Sequence, residues 1–427
     1  MTPPLAALAA DPLAMHAWAM ATAAVTAAAC ALVGTLLVVR RMSLLGDAIA
    51  HAVLPGIVVA VLAGGRPGGP LVFAAAVAAA VVTVWLTQAL KATAGLAEDV
   101  GAGIVFTTMF ALGVALVTAA GRGAHIDAAC VLQGDLTFVP FDTIVVAGCP
   151  LPRAFVTGGL VLLLLFAAAW VTWKLQVFTA FDPAAARAAG LPVATVTAGL
   201  LAATAVATVA SFQSVGAILV VALLVVPAAA AELLVRRLHH VAIVAVLLAV
   251  GGACLGYLAA WRWSVNEAGA IAVVLGIEYL AAALFAPEDG IVARGLAATR
   301  FAWRVACEDV LAALWRGEES GSAAARPKTL RGRLAGLGLW AAGDVARVDG
   351  SWRLTPRGRR VAEMVVRSHR LWETWLGRHV DLPVDHLHPP AEWIEHHLGT
   401  AVRRRLEADL GIGTADPHGS EIPPESL

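Results

Sequence analysis

The sequence predicts an all-α polytopic membrane protein of about eight to nine transmembrane helices, followed by a water-exposed C-terminal domain. Of its 427 residues, 59% are hydrophobic and only 14% are charged, which is far from the composition of a soluble globular protein. The charge is also unevenly spread. Residues 1–286 contain 11 Lys/Arg and 11 Asp/Glu, whereas residues 287–427 contain 19 of each. The first part is therefore expected in the bilayer and the second part outside it.

Nine apolar runs are long enough to cross a bilayer as helices, which takes about 20 residues each. They lie at 15–39, 44–64, 70–90, 100–120, 155–178, 193–211, 214–235, 240–261 and 265–286. If these runs alternate in direction, most of the flanking basic residues fall on one side, which is predicted to be cytoplasmic. These residues are Arg40, Arg41, Lys91, Lys174, Arg187, Arg236 and Arg237. The segment 121–154 is then extracytoplasmic.

One carboxylate and one imidazole, Asp47 and His51, interrupt the second apolar run. Four residues apart, they share one face of a helix. Ionisable groups at membrane depth are costly and usually face a partner, a cavity or an ion path, and this pair suits Mn, Fe or Zn. Pro55 and Gly56 follow at once and predict a kink or a break. The alternative is a helix that begins at the cytosolic surface, with His51 satisfied by a neighbour.

The stretch RRMSLLGDAIAHAVLPG (40–56) resembles the signature of the permease subunits of metal ABC importers, which take up zinc, manganese or iron. Three later segments are similar to the same family, and the four cover about two thirds of the chain. They are Glu98-Asp99 with GIVFTTMFALGV, His125-Ile-Asp127 with VLQGDL, and SFQSVGAILVVALLVVPAAAAELL (211–234). The resemblance implies that Asp47 and His51 line the metal path.

Two further polar features of the membrane part leave alternatives open. Gln213 and Ser214 stand in apolar surroundings and Pro227 is expected to interrupt a helix, so this segment either lines the path or supplies polar contacts between helices. His125 and Asp127, two residues apart, could share a strand face but not a helix face. We interpret them as a feature of the external mouth, with or without a metal role.

The segment FDPAAARAAGLPV (181–193) predicts a short helix on the cytosolic side. Asp182 can cap it, Pro183 suits its first turn and Gly190 can end it. It is either an ordinary interfacial helix or, as the ABC-permease resemblance implies, a coupling helix that docks on the ATPase. The second interpretation assigns ATPase coupling to Phe181, Asp182, Pro183, Ala186 and Gly190.

The C-terminal part begins with an expected amphipathic helix at 301–315 and a linker, which together make a connecting segment at 287–327. From Gly350, the run GSWRLTPRGRRVAEMVVRSHRLWETWLGRHVDLPVDHLHPPAEWIEHHL resembles the iron- and manganese-dependent transcriptional repressors, and the likeness continues to ADPHGSEIP (415–423). We therefore expect a transmembrane permease domain at 1–286 and a mostly helical, winged-helix-like, repressor-type metal-binding domain at 328–427.

Spacing in this domain is typical of metal ligands. Glu392, Glu395 and His396 would stack on one helical face, and His369 with Glu373 forms a second i,i+4 pair. The resemblance implies ligand positions at Asp309, His369, Glu373, His388, Glu392, Glu395 and His396. Glu392 stands where the iron-type repressors have Cys, as in the manganese type, and a second acid of the first helix is replaced by Ala312. Oxygen ligands favour Mn or Fe(II), with Zn possible. The alternative is a surface helix with solvated charges.

DNA binding by this domain is not expected. The first helix of a helix-turn-helix would be shortened or lost in the linker at 317–326, although a candidate recognition helix near 328–337 and wing-like residues 348–355 remain.

The sequence thus predicts the permease subunit of an ABC importer for a divalent metal, in the cytoplasmic membrane of a bacterium. It would act as a homodimer with a separate ATPase and an extracytoplasmic metal-binding protein. The chain has no GxxxxGK[ST] pattern, so we do not expect it to be an enzyme. The cytosolic tail is expected to sense metal or to be only structural. The rival hypothesis is a membrane-tethered, metal-responsive regulator without transport activity. Secondary transport is disfavoured because no inverted repeat is evident.

Overall fold

The computed structural model describes residues 12–65, 69–119, 136–146, 148–321, 329–348, 350–380, 394–411 and 415–424. The chain divides into two compact units, Met1–Ala293 and Arg294–Leu427. This division falls close to the expected end of the permease domain at residue 286. We call the two parts the membrane unit and the tail unit.

The membrane unit is built almost entirely of helices. Its helices are α1 (Pro12–Val39), α2 (Ser43–Ala52), α3 (Leu54–Leu62), α4 (Pro70–Ala94), α5 (Glu98–Ala119), α6 (Arg153–Phe181), α7 (Pro183–Ala188), α8 (Val193–Leu234), α9 (Leu238–Trp263) and α10 (Glu267–Phe285). Within the described residues, nine segments are long and apolar enough to cross a membrane. The expected number of spans is therefore confirmed.

Helix α8 lies at the centre of this unit and packs against α1, α2, α6, α9 and α10. Small residues allow the close approach. A Cβ on Gly34 would stand 1.9 Å from the backbone oxygen of Leu224, so α1 and α8 touch backbone to backbone at this position. Such small-residue contacts are a common way for helices to pack in lipid.

Two of the spanning segments contain a break. The second span ends its first helix at Ala52, and Val53 separates α2 from α3, because Pro55 has no N–H to donate to the preceding turn. This break was expected. In α8, the break expected at 211–213 lies instead at Gly216, whose φ of 76° and ψ of 166° favour glycine. Pro227, expected to interrupt a helix, lies inside α8.

The connection between α5 and α6 contains a small hairpin that the sequence did not predict. Strands β1 (Thr143–Val146) and β2 (Cys149–Pro152) pair antiparallel, with Thr143 opposite Pro152. A 3₁₀ helix at Leu136–Phe141 precedes them. The short strands have no long alternating pattern, which explains why they are not evident in the sequence.

The tail unit combines helices with one two-stranded wing. Its elements are α11 (Ile291–Glu319), which starts just before the boundary, α12 (Leu330–Ala342), β3 (Val345–Val348), β4 (Ser351–Leu354), α13 (Pro356–His379), a 3₁₀ turn (Glu395–His397) and α14 (Thr400–Leu410). Strands β3 and β4 pair antiparallel, which matches the wing expected at 348–355.

Helix α11 is a structural part of the tail unit and not only a connector. Leu311 and Leu314 pack in one apolar cluster with Leu339 and Val345. The helix is also longer than the expected 301–315, because Glu319 accepts two hydrogen bonds from Arg370, at 3.0 and 2.6 Å. These contacts give the end of the helix tertiary support, where composition alone had predicted a flexible linker.

Candidate functional site

Asp47 and His51 lie on the same face of α2, as their spacing predicts. The Nδ1 atom of His51 is 3.4 Å from Oδ1 of Asp47 and 3.2 Å from its backbone oxygen. The two side chains are 24% and 45% exposed, His51 being the more enclosed. Neighbouring positions of the same helix, Leu45 and Ile49, are buried in the core. The pair therefore borders open space while its helix is held firmly.

The His51 ring is supported by aromatic side chains of α5. Phe106 and Phe110 approach it edge-on, with ring centroids 5.4 and 6.1 Å away. His51 is also the last residue but one of α2, directly before the break at Val53. The carboxylate and the imidazole thus lie in the helix that ends at the break, and the phenyl rings of α5 pack against the imidazole.

The serine hydroxyls near the break in α8 donate hydrogen bonds to backbone oxygens of their own helix. Ser211 donates to the backbone oxygen of Ala207 at 2.7 Å, and Ser214 donates to that of Ser211 at 3.0 Å. Cys30 of α1 lies 3.4 Å from the Ser211 hydroxyl. Only the contact between Cys30 and Ser211 joins two helices, and this contact favours the interpretation of Ser211 as a polar link between helices. His125 and Asp127 lie outside the described residues.

The segment between α6 and α8 forms the short helix that was expected. The Asp182 carboxylate accepts hydrogen bonds from the backbone N–H groups of Ala184 and Ala185, at 3.1 and 2.8 Å. Pro183 is the first helical residue, and Gly190 follows the helix with a φ of 76°. Ala186 is completely buried, so it holds α7 against the membrane unit. Phe181, 68% exposed, is available to a partner.

The tail unit gathers a dense cluster of carboxylates and imidazoles. Single donor atoms of Asp309, Glu395 and His396 all lie within 4.8 Å of one another, and this set could hold a metal ion. The two ring nitrogens of His396 contact Glu308 at 2.6 Å and Asp309 at 3.1 Å. Two acids from α11 therefore meet one imidazole from the 3₁₀ turn.

A second imidazole continues this cluster. His369 contacts Glu373 at 3.2 Å through Nε2 and Glu395 at 2.5 Å through Nδ1. All three side chains are at most 4% exposed. His418, from the C-terminal segment, lies 3.9 Å from Glu373. Glu395 is thus the shared centre, because it contacts both His369 and His396.

The carboxylates raise the pKa of both histidines. For His396, burial alone would lower the pKa, but the hydrogen bonds with Asp309 and Glu308 outweigh it and raise the pKa to about 9. For His369, burial again lowers the pKa, but the contacts with Glu373 and Glu395 outweigh it and raise the pKa above its usual value. Without metal, protons therefore hold these acids together.

The structure brings together five of the seven predicted tail ligands, namely Asp309, His369, Glu373, Glu395 and His396. Glu392 and His388 lie outside the described residues. The expected helical face at 392–396 is replaced, at Glu395–His397, by a 3₁₀ turn. Ala312 is 2% exposed and packs with Val365 and Val366, so an acid at this position would face an apolar wall.

Sequence reasoning missed three acidic or imidazole groups. Glu308 precedes Asp309 in the same run, and His418 lies in ADPHGSEIP, so both were next to residues that had been singled out. Glu278 lies in the last span, where Gly252 of α9 leaves room for its carboxylate. It is an acid at membrane depth, and that feature alone could have identified it.

The outward face of α12 is apolar. Leu330, Leu334, Leu337 and Trp340 are 73%, 47%, 53% and 54% exposed. This helix occupies the place of the candidate recognition helix. Arg331 and Arg333 flank the apolar face and are also exposed.

Two family models match the chain. Residues 13–286 match the model of the ABC 3 transport family. The chain belongs to this family. Residues 355–424 match the model of the metal binding and dimerisation domain of the iron dependent repressors. Both resemblances drawn from the sequence are therefore confirmed, and the chain is a multi-pass protein of the bacterial inner membrane with a repressor-type cytosolic domain.

Similar proteins of this family are transport-system membrane proteins. The chain is 39% identical over 285 residues to the manganese transport system membrane protein MntD of Bacillus subtilis (strain 168), covering 66% of this chain and 96% of that protein. It is 36% identical over 274 residues to the zinc transport system membrane protein TroD of Treponema pallidum (strain Nichols), covering 64% and 75%.

A solved structure has the same fold. It is PsaBC from Streptococcus pneumoniae in complex with Fab, which matches with a TM-score of 0.56 and 25% identity, over 66% of this chain and 95% of that one. The match supports the arrangement of the spanning helices of this ABC 3 permease.

Proposed function

We propose that this chain is the permease subunit of an ABC importer that moves a divalent metal cation across the inner membrane. The observation that carries the proposal is the carboxylate–imidazole pair Asp47 and His51, which lies at a helix break and borders open space within the membrane unit. The names of the similar family members support the substrate class. They do not select one metal, and manganese, iron and zinc remain the candidate substrates.

The pair has the chemistry that a transport path needs. A carboxylate oxygen and an imidazole nitrogen are ligands that Mn, Fe(II) and Zn share. Two ligands from one helix leave the remaining coordination positions to water or to a second protomer, so the ion binds without being trapped. We infer that the permease is a homodimer, because a second Asp47–His51 pair facing the first would complete a central path.

Energy would come from a partner chain through α7. The capped helix presents Pro183 and Arg187 at the surface while Ala186 anchors it, and Phe181 is exposed at the adjoining end of α6. A short, rigid and surface-held helix on the cytosolic side is suited to transmit movement from an ATPase. An extracytoplasmic binding protein would deliver the metal to the opposite side.

The tail unit would bind a divalent metal at the cluster of Asp309, Glu395 and His396, with His369 and Glu373 adjoining it. The donor set fits such an ion, because one carboxylate or imidazole atom from each of the three converges within 4.8 Å. Its oxygen-rich composition favours Mn or Fe(II). When bound, the metal would replace the protons that otherwise bridge these acids and imidazoles.

We also infer that α12 does not read DNA. Specific base readout uses polar or charged side chains at the major groove, whereas the exposed face of α12 carries Leu330, Leu334, Leu337 and Trp340.

Uptake of radioactive manganese or zinc by cells that express the chain with its ATPase tests the transport proposal. The Asp47→Ala/His51→Ala double variant should lose metal uptake at least about 100-fold, since both ligands of the path are removed. Thr107→Ala is the matched control, because Thr107 is exposed on α5 next to Phe106 and donates only within its own helix. Normal uptake by the double variant at equal expression would contradict the path. No uptake above background by the unaltered chain would favour the regulator hypothesis.

A second experiment tests feedback from the tail to the permease. If metal binding in the tail favours a closed state, the coupling free energy should be about 1–3 kcal/mol, or about 5- to 150-fold. Uptake should then slow at high internal metal in the unaltered chain and continue in Glu395→Gln/His396→Ala. His379→Ala removes an imidazole outside the cluster and should behave like the unaltered chain. Superimposable curves for all three proteins would leave the tail as a structural domain.

A further inference from the structure

A long apolar groove lies on the surface of the membrane unit, away from the Asp47–His51 pair. Its volume is about 1070 Å³. Ala28 and Leu32 of α1 form the floor, and α6 and α9, which both pack on α1, form the walls. Wall residues such as Leu163 of α6 and Leu247 of α9 are 64% and 65% exposed. The groove therefore opens toward the surrounding lipid.

The groove has one polar end. Lys174 and His239 line it together with Trp170 and Trp173, and the ring of His240 lies 4.1 Å from that of His239. Lys174 is near the end of α6 and His239 is at the start of α9, which follows Arg236 and Arg237 in the chain. These basic residues place the polar end at the cytosolic surface. Tryptophan at the same level is typical of a membrane interface.

The groove is longer than one leaflet of the hydrocarbon core is thick. Lining residues of α6 run from Gly159 to Lys174, and 15 residues of helix rise roughly 22 Å. One leaflet of the hydrocarbon core is about 15 Å thick, half of the usual ~30 Å. The groove therefore has room for an acyl chain that enters from the cytosolic leaflet.

We propose that this groove binds an anionic phospholipid of the cytosolic leaflet, with its phosphate on Lys174 and His239 and an acyl chain along α6 and α9. Basic pockets between transmembrane helices on the cytosolic side suit anionic headgroups. Among the described residues that line the groove, none is acidic, so the polar end attracts anions. If a second protein copy covered the groove, none of the described lining residues could pair with the Lys174 ammonium, and burying an unpaired charge is costly.

The inference is tested on the full-length protein in detergent, with phosphatidylglycerol, phosphatidylcholine of the same chains, and inorganic phosphate as probes. Binding is followed by native mass spectrometry and by the shift in the melting temperature. Phosphatidylglycerol should bind more tightly than phosphatidylcholine. Lys174→Ala/His239→Ala should lower the phosphatidylglycerol affinity about fivefold or more. It should lower the weaker phosphatidylcholine affinity less, because the choline ammonium offsets the charge of that lipid's phosphate.

Two variants separate the headgroup from the groove. Gly159→Phe should lower the affinity for both lipids. A Cβ at Gly159 meets open space, so the added ring would fill the end of the groove farthest from Lys174. Arg262→Ala, a basic residue at the opposite end of α9, should leave both affinities unchanged. Equal binding of the two lipids, or unchanged phosphatidylglycerol binding in Lys174→Ala/His239→Ala, would overturn the proposal. So would inorganic phosphate that reproduces the stabilisation, or a change from dimer to monomer in Lys174→Ala/His239→Ala, which would indicate a protein interface.

Discussion

The two candidate metal sites of this chain use the same ligand types in opposite ways. In the membrane unit, one carboxylate and one imidazole stand together, and Asp47 remains 45% exposed. In the tail unit, two imidazoles share Glu395, and the His369 and Glu395 side chains are 4% and 3% exposed. A sparse, open pair can release an ion as readily as it takes one. In the denser tail cluster, where Asp309 is exposed but His369, Glu373 and Glu395 are buried, we expect the ion to be held more tightly.

Within the tail unit, the largest effect should come from the shared carboxylate Glu395. Glu395→Gln keeps the size of the side chain but removes the charge that both histidines contact, so the tail should lose metal affinity at least about 10- to 100-fold, while initial uptake at low internal metal is unchanged. Manganese titration of the full chain measures the tail affinity. It is done in an Asp47→Ala/His51→Ala background, so that only the tail site binds the metal. His379→Ala is the control. If Glu395→Gln binds manganese like the parent, the cluster is not the tail's metal site.

Protons should compete with the metal for His396, so metal binding by the tail cluster should depend on pH. A protonated imidazole cannot ligate, and the pKa of His396 without metal is about 9, so His396 carries its proton at pH 7. Below pH 9, the apparent metal affinity of the tail should fall about tenfold for each pH unit. An imidazole with the ordinary histidine pKa of about 6.5 would instead show this loss only below about pH 6.5.

Calorimetric titration in buffers of different ionisation enthalpy measures the protons released on metal binding. Close to one proton from His396 is expected at pH 7.5. Glu308→Gln removes one of the two carboxylates that hold this proton, so its pH dependence should move to lower pH. Metal affinity that stays constant between pH 7 and 9 would contradict the assigned contacts of His396.

Periodicity and motif order anticipated much of this molecule. Apolar runs predict the nine spans, Pro55 predicts the break, and Asp182 followed by Pro183 predicts the capped helix. Each of these features depends on residues that are close in the sequence. Gly216 was not anticipated as the break in α8, because a glycine with positive φ looks like any other glycine of an Ala- and Gly-rich helix.

The tail cluster was only partly predictable for a different reason. His369 with Glu373 is a local pair on one helix, so spacing suffices. Glu308 meets His396 across 88 residues, and only tertiary packing creates that contact. The two hydrogen bonds that Arg370 donates to Glu319 are also tertiary contacts, and they stabilise a helix where the sequence predicted a linker.

The smallest expected effect concerns α7, the proposed contact with the ATPase. A change in α7 should lower uptake while both metal sites stay intact. Asp182 accepts two hydrogen bonds from the N-terminal turn of α7, and replacing such a cap by alanine costs about 1 kcal/mol. Asp182→Ala should therefore lower uptake by a few-fold, with tail metal affinity unchanged. Asp182→Asn keeps a capping oxygen and should transport normally. Equal losses in both variants would mean that the charge of Asp182, and not its cap, matters for the partner ATPase. Normal uptake in both would mean that α7 needs no cap to do its work.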